Sequence, residues 1–361
     1  MCSRPSASSP PIRSAAIWRR APVVAALLAG WALAPTAQTA GPGSPGRVDT
    51  LRAVSALPVE IVGEFREPLG FERLASGQEL VFDRRGHAVY GVAPGRGTSR
   101  KLVAIGGEDG RVIEPTAFDA DPGGTFVVAD APNGRERVQI FTSDGQRAGG
   151  FTLPGRATPR VTLGSLSLSG IGTLHYTGRS VLISQPETGG LMTEYGLAGT
   201  PVRTIGRLRA TGHDADRELH LALNAGIPLK GRDGGYWFVF LAGKPAFSRF
   251  DANGALLFHR VIQGRELDPV IAALPTVWPR RSIDGTDVPL VSPTIRTAAL
   301  SPAGELWISF VVPYTYVFDG LGEKLRTVQF VAAGLVAPNS LAFPSATRLL
   351  VTPGCFEFAT R

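Results

Sequence analysis

Residues 123–145 read GGTFVVADAPNGRERVQIFTSDG. The stretch contains two apolar runs of strand length, and a turn with glycine stands before, between and after them. Glycine, asparagine and aspartate suit such turns because they accept a positive φ or bond to the local backbone. The stretch therefore predicts two short antiparallel strands framed by tight turns.

The end of this stretch recurs along the chain as an apolar strand, a turn glycine and another strand. The five turn glycines are Gly110, Gly145, Gly199, Gly254 and Gly322. Four of them follow an aromatic residue by four positions, and the aromatic residues are Phe141, Tyr195, Phe250 and Phe318. Repetition of this kind is typical of propeller blades, and the aromatic residues are predicted to lie in the core.

The other half of the repeat is an alternating strand, a turn and an apolar strand, and it occurs six times. The first copy is ELVFDRRGHAVYGV at 79–92 and the last is LAFPSATRLLVT at 341–352. Each full unit has four short strands, and such units bury their faces by stacking around an axis. We therefore predict an all-β fold, a six-bladed β-propeller with short helical insertions between blades. Helical patterns lie around residues 213–223 and 264–274.

The two ends of the chain determine how the ring of blades closes. The last unit has about three strands, and PVEIVGEF at 58–65 is an additional apolar run before the first unit. Because an open array would expose strand edges, we predict that residues 58–65 complete the last blade as its outer strand. The predicted organisation is a signal peptide at 1–40, a flexible lead-in at 41–55 and the propeller at 56–361.

The predicted signal peptide depends on the order of residues at the N-terminus. Arg19 and Arg20 precede the apolar run APVVAALLAGWALA at 21–34, and small residues follow it. This order is typical of a secretory leader, and the run is short for a membrane span, although an uncleaved anchor is an open alternative. We predict a secreted or periplasmic protein, exported by the general or the twin-arginine route, with no transmembrane span after leader removal.

Charge and cysteine content exclude several classes of function. Residues 1–40 hold four arginines and no acid, so the rest of the chain has 33 basic and 30 acidic groups, a surplus of 3. So small a surplus, without basic runs, argues against a nucleic-acid partner. Cys355 would be the only cysteine after leader removal, which excludes an internal disulfide and a thiolate metal cluster.

The segment from Pro115 to Gly145 resembles the NHL repeat. The matching residues are Pro115, Gly124, Val128-Ala129-Asp130, Asn133, Arg137-Val138-Gln139-Ile140-Phe141 and Asp144-Gly145. Two extra residues between Asn133 and Arg137 depart from the usual spacing. The resemblance implies a six-bladed propeller similar to secreted bacterial propellers of unassigned role. Such a fold supports binding, protein recognition and hydrolysis alike, so it does not define a function.

Three polar residues are predicted near the start of innermost strands: Glu114, Asn224 and Asn339. A carboxylate and two amides are suitable oxygen ligands for Ca²⁺. The set is similar to the centre of gluconolactonase-type or paraoxonase-type propellers, which implies a metal that polarises an ester or lactone carbonyl. The alternative is that the asparagines cap turns and the glutamate is exposed. His87, His175 and His259 are interpreted as structural.

A second candidate site lies in the connector ELDPVIAALPTVWPRRS at 266–282. Trp278, Arg280 and Arg281 follow an apolar helical pattern, and tryptophan and arginine are favoured anchors of recognition surfaces. The alternative is that Trp278 seals a gap between blades. The leading prediction is a monomeric binding or scaffold propeller that recognises a protein or a small ligand on one face or in the central channel. The second is a metal-dependent lactonase or esterase.

Overall fold

The structure is a computed structural model that describes residues 48–95, 97–154, 159–163, 166–169, 171–283 and 286–360. The predicted signal peptide and the first part of the predicted lead-in lie outside these residues. The described chain begins with a long strand, β1 (Val48–Ala56), and one helical turn, α1 (Val59–Val62). No helix within the described ranges has both the length and the apolar character needed to cross a membrane.

Four antiparallel sheets of four strands follow, each with its strands in chain order. Sheet I consists of β2 (Pro68–Arg73), β3 (Glu79–Asp83), β4 (Ala88–Val92) and β5 (Ser99–Val103). Sheet II consists of β6 (Ala117–Asp121), β7 (Thr125–Asp130), β8 (Arg137–Thr142) and β9 (Arg147–Thr152). A hairpin of β10 (Pro159–Leu163) and β11 (Leu166–Ser169) comes next.

Helical insertions precede sheet IV and the last sheet, as the sequence predicted. Sheet III consists of β12 (Leu174–Tyr176), β13 (Ser180–Ser184), β14 (Gly190–Gly196) and β15 (Pro201–Arg207). Helix α2 (Arg217–Leu223) leads to sheet IV, which consists of β16 (Gly226–Lys230), β17 (Tyr236–Phe240), β18 (Ala246–Phe250) and β19 (Leu256–Val261). Helix α3 (Asp268–Ala272) and a hairpin of β20 (Arg280–Ile283) and β21 (Thr286–Pro289) follow.

The C-terminal strands form a nine-stranded sheet with β1. They are β22 (Ile295–Leu300), β23 (Leu306–Phe310), β24 (Thr315–Phe318), β25 (Lys324–Val331), β26 (Leu335–Val336), β27 (Ser340–Ser345), β28 (Arg348–Thr352) and β29 (Phe356–Ala359). The order is β22-β23-β24-β25-β1-β29-β28-β27, with β26 paired to β25. The fold is therefore all-β with few helices, in a propeller-like arrangement.

Strand β1 joins the two halves of this sheet, and this corrects the predicted closure. Val48–Arg52 pairs in parallel with Thr327–Val331, and Ala53–Ala56 pairs antiparallel with β29. The prediction that residues 58–65 form the closing strand was wrong, because their centre is helix α1. Ile61 and Phe65 are spaced for one side of a helical turn, and both are buried. Residues 48–55, predicted as a flexible lead-in, belong to the closing strand.

Buried apolar clusters connect each sheet to the next one along the chain. Phe82 packs with Phe126 between sheets I and II, and Val127 lies in one cluster with Val181 between sheets II and III. A further cluster contains Phe71 and Leu350, so the C-terminal strands pack against sheet I. The core is therefore a series of interfaces between sheets, and it returns to its starting point.

The turn glycines behave as predicted, with one correction of position. Gly145, Gly199, Gly254 and Gly322 all have positive φ and stand between the third and fourth strands of their units. The preceding aromatic residues are buried, as predicted. Gly110 also has positive φ but follows β5, and Gly95 occupies the equivalent turn in sheet I. The sequence therefore misplaced the turn glycine of the first unit, because no aromatic residue stands four positions before Gly95 in APGRG.

The polar residues of the NHL-like segment fasten the connection between sheets I and II. Arg137 forms a bidentate pair with Asp130 at 2.7 and 2.9 Å, and the Asp130 side chain is fully buried. Arg137 also donates to the carbonyl oxygens of Gly107 and Arg111, and Gln139 donates to the latter at 2.7 Å. These residues of the segment therefore have a structural role.

Candidate ligand site in the central cavity

The first strands of the sheets line a common cavity. Each of β2, β6, β12, β16, β22 and β27 contacts the next, and β27 contacts β2. These strands enclose a space of about 1080 Å³, which we call the central cavity. Cavities of this order accommodate small organic ligands.

Most of the inward wall of the cavity is apolar. Its apolar residues include Leu69, Phe118, Leu174, Ile227, Leu229, Trp237, Ile295, Leu341 and Phe343. Gly70 and Gly172 widen the wall at β2 and just before β12. A Cβ atom at Gly70 would stand 2.6 Å from Phe118, whereas one at Gly172 would meet open space. Apolar walls with a few polar groups are typical of small-molecule sites.

Asp119 and His175 form a polar pair on neighbouring inner strands. The Asp119 Oδ2 atom lies 2.9 Å from Nδ1 of His175 and accepts a 2.7 Å hydrogen bond from the backbone N–H of Tyr176. The side chains retain 19% and 27% of their exposure, so both face the cavity. Because the carboxylate holds one ring nitrogen, the imidazole has a fixed orientation, with Nε2 left for another partner.

Glu72 lies beside this pair, and its carboxyl group accepts no hydrogen bond from any residue that the structure describes. Burial raises the pKa of Glu72 well above its ordinary value, and the nearby charge of Asp119 raises it further. The side chain is only half-buried by surface exposure, because the cavity is wide enough to admit water. Glu72 is therefore an acidic group held inside the protein without a protein donor.

Three cations around the cavity are paired with carboxylates, whereas Arg232 and Arg296 line it with no carboxylate partner among the described residues. Arg84 bonds to Glu67 at 2.6 and 2.9 Å, and Lys230 bonds to Glu194 at 2.7 Å. Arg249 pairs with Asp233 and covers the ring of Trp237 at 4.6 Å. These contacts hold three cations in the wall. Glu72 differs from them because no described residue forms an ion pair or a hydrogen bond with its carboxyl group.

The three predicted metal ligands do not meet in this cavity. Asn339 lines it and accepts a 2.8 Å hydrogen bond from Arg296. Asn224 is fully buried at the end of α2, where Oδ1 accepts from Arg209 N–H and Nδ2 donates to the carbonyl of His220. Glu114 is exposed at φ 49°. For Asn224 the structure thus supports the alternative of a capping residue.

Among the described residues, no group of three or more His, Cys, Asp and Glu side chains lies close enough together to hold a metal ion. The Asn224 and Asn339 amides are not among these ligand types. The Ca²⁺ prediction on Glu114, Asn224 and Asn339 is nevertheless weakened, because the three residues lie in separate positions.

The predicted recognition residues lie on the connector after α3. Trp278 is 8% exposed and packs with Leu219 and Leu223 of α2, so its ring closes the core, as the alternative interpretation held. Arg280 pairs with Asp216 and Asp287. Arg281 is exposed on β20. The tryptophan is therefore unavailable as a surface anchor, while the arginines lie at the surface.

Sequence reasoning missed Glu72, Asp119 and His175. Each stands in the first strand of its unit, in PLGFER, AFDAD and LHY. The sequence feature that could have revealed these residues is a charged or titratable residue within the first strand of a unit. The predicted metal ligands instead stand just before those strands, and His175 was interpreted as structural.

The comparisons with known proteins support the fold. No protein-family model matches the sequence, and no curated protein matches it. A streptogramin B lyase structure is similar with a TM-score of 0.50 and 10% identity, over 84% of this chain and 95% of that one. The virginiamycin B lyase of Staphylococcus aureus, solved with quinupristin, gives a TM-score of 0.47 and 11% identity over 81% and 84%.

A third similar structure is the PQQ-bound aldose sugar dehydrogenase of Streptomyces coelicolor, with a TM-score of 0.49 and 10% identity over 90% of this chain and 98% of that one. At such identities the likeness concerns the fold alone. The structural neighbours are propeller-like proteins, so the chain belongs to that architectural class.

Proposed function

We propose that this chain is a six-bladed propeller that binds a small molecule in its central cavity. The observation that carries the proposal is the cavity of about 1080 Å³, with its largely apolar wall and with Glu72 inside it, to which none of the described residues donates a hydrogen bond. A buried carboxyl group without a donor costs stability, so its presence favours a role in ligand binding.

The count of six rests on dividing the nine-stranded sheet at β1. The strands β22 to β25 form one run of four, and β27 to β29 with β1 form another, so that with sheets I to IV there are six units. The closed series of contacts among the first strands favours the same count. An experimental structure at high resolution would test it, and any other number of radial units would contradict it.

The binding proposal is tested by filling the cavity. Gly172→Phe places a ring in the space that is open at this wall position. Gly149→Phe is a matched control, because Gly149 also has open space but lies on the outermost strand β9 of sheet II. We expect some compounds of a fragment library to raise the melting temperature of the native chain and of the control, and to lose this effect in Gly172→Phe. Compounds that act equally on all three would contradict the proposal, as would a library without effect.

A metal-dependent lactonase or esterase is the second candidate, and it has less support. Only Asn339 of its three residues lines the cavity. Its test is the melting temperature with added Ca²⁺ in the native chain and in Asn339→Ala. A shift that the substitution abolishes would favour this candidate over simple ligand binding.

We also propose a secreted or periplasmic monomer. The support is the sequence of residues 1–40, with Arg19 and Arg20 ahead of a short apolar run. The N-terminal sequence and the mass in solution of the protein recovered from a periplasmic extract would test this. Retention in the cytoplasm at full length would contradict the export proposal, and a dimer mass would contradict the monomer proposal.

A further inference from the structure

We infer that the ligand of the central cavity is an organic monocation, an ammonium group on an apolar body, whose charge is received by Glu72 beside Asp119. The inference rests on the proposed function and adds the chemical class of the ligand. It follows from the charges that the cavity leaves without partners and from the nature of the wall around them.

Two carboxyl groups of the cavity, Glu72 and Asp119, lack a cationic side chain of Lys or Arg as partner among the described residues. Glu72 has no donor among the described residues, and Asp119 has only the imidazole of His175 and backbone N–H groups. The cations of the wall at Arg84, Lys230 and Arg249 already have carboxylate partners. A positively charged ligand would therefore find an open partner, because both carboxyl groups lie in a region of reduced dielectric where ion pairing is strong.

The titratable groups on strands packed against β2 do not supply the missing partner. Strands β3, β6, β27 and β28 contact β2. On β3, Glu79 bonds to Arg73, and Asp83 accepts backbone N–H groups. On β6, Asp121 accepts a hydrogen bond from the N–H of Gly123. On β28, Arg348 pairs with Glu357. Strand β27 contains no titratable residue. Asp119 remains the group that acts on Glu72, and its negative charge favours a cation between the two.

The wall near these carboxyl groups suits the body of such a ligand. Phe118, which follows Ala117 on β6, and Leu174 on β12 line the cavity beside Asp119 and His175. Aromatic faces also attract ammonium groups, since the ring quadrupole is negative at its face. An apolar body would displace water from this wall while the ammonium group reaches Glu72.

An anionic ligand is the competing possibility, because Arg296 lines the cavity with only an amide oxygen, that of Asn339, as its side-chain partner. Arg296 and Arg232, which also lines the cavity, are both exposed, however, whereas Glu72 is half-buried in the wall. An exposed guanidinium is well hydrated and gains little from a ligand, while a buried carboxyl group without a donor gains more. The surroundings of Glu72 therefore favour a cation.

The test compares by calorimetry three probes that share a phenylethyl group: 2-phenylethylamine, 2-phenylethanol and 3-phenylpropionate. We expect the amine to bind about tenfold or more tightly than the alcohol, and the substitution Glu72→Gln to remove that preference. Glu108→Gln is the control, because Glu108 is a surface residue paired with Arg111 far from the wall. The preference should remain intact in the control.

The pH dependence gives a second readout. Because the amine stays protonated between about pH 6 and about pH 8, any change in its affinity reports on the protein. Glu72 must lose its proton to pair with the amine, so we expect proton release on binding and tighter binding at the higher pH. Glu72→Gln should bind the amine with a smaller dependence on pH.

Three results would overturn the inference. They are tighter binding of the propionate or the alcohol, an amine preference that survives Glu72→Gln, and binding of none of the probes at millimolar concentration. The first two would leave the proposed function standing, provided that Gly172→Phe abolishes binding. If Gly172→Phe leaves the binding of every probe unchanged, the cavity itself is excluded and the proposed function fails as well.

Discussion

Two glutamates of this chain, the buried Glu194 and the half-buried Glu72, have opposite surroundings. Glu194 on β14 accepts hydrogen bonds from Ser180 and Lys230 at 2.7 Å each and from Tyr236 at 2.8 Å. Burial alone would raise its pKa, but the hydrogen bonds and the charge of Lys230 outweigh it, so that the pKa of Glu194 is lowered. Glu72 on β2 has no such donors in the described part of the chain, and its pKa is raised by burial and by Asp119.

The difference separates a structural acid from a candidate ligand-binding acid. Glu194 lies between sheets III and IV, where its partners come from both sheets, and its charge joins them. Glu72 lies in the wall of the central cavity, where a charge has no protein partner. A buried carboxylate is tolerated when donors compensate its lost hydration. Where they do not, function is the usual reason for retaining it.

The largest expected effect is the loss of stability in Glu194→Gln. The substitution leaves Lys230 without its carboxylate and the Tyr236 hydroxyl with a weaker acceptor. We expect the free energy of unfolding in urea to fall by about 3 kcal/mol, as in other broken buried ion pairs. Glu108→Gln, which breaks a surface pair with Arg111, should cost less than about 1 kcal/mol. Equal losses in the two variants would contradict the structural role of Glu194.

The opposite sign is expected for Glu72→Gln. An uncharged amide of nearly the same shape relieves both the lost hydration and the repulsion by Asp119. We expect the free energy of unfolding to rise by about 1 kcal/mol near neutral pH, while the preference for the amine is lost. A variant that is less stable than the native chain would show that Glu72 has a structural partner.

The pH dependence of stability should also run in opposite directions. The raised pKa of Glu72 means that its contribution is present below its unfolded pKa of about 4.3 and is lost as the pH rises through its folded pKa. The lowered pKa of Glu194 means that its contribution is present above the same unfolded value and is lost as the pH falls through its folded pKa. Urea unfolding of the native chain and both variants across this range would measure the two differences. If the unfolding free energies of the three proteins changed in parallel with pH, the opposite pH dependences expected for Glu72 and Glu194 would be contradicted.

The sequence predicted the repeating strands better than the site, and the reason is physical. Turn glycines such as Gly145 and buried aromatics such as Phe141 are determined by local geometry and by repetition, and both are visible in one chain. The closing strand was missed because VDTLRAVS follows GPGSPGR at 41–47 and was assigned with it to a flexible lead-in, whereas it is held by pairing with the distant strands β25 and β29.

The site was missed for a related reason. Glu72, Asp119 and His175 stand far apart in sequence, and only the arrangement of the inner strands brings the last two within 2.9 Å. Asn224 shows the converse error, because its position before a strand suggested a ligand while its side chain caps α2. Polar residues near strand ends are interpreted correctly only when the path of the backbone is known.

The smallest expected effect concerns the two causes of the shift at Glu72. Asp119→Asn removes the neighbouring charge, while the amide oxygen can still accept from the N–H of Tyr176. Burial is the larger cause, so the pKa of Glu72 should fall only in part and stay above its ordinary value. NMR titration of the side-chain carboxyl carbons in both proteins would measure this. A return to the ordinary value would mean that Asp119 is the principal cause, and Glu72 would then be an acid whose properties depend on one neighbour more than on the apolar wall.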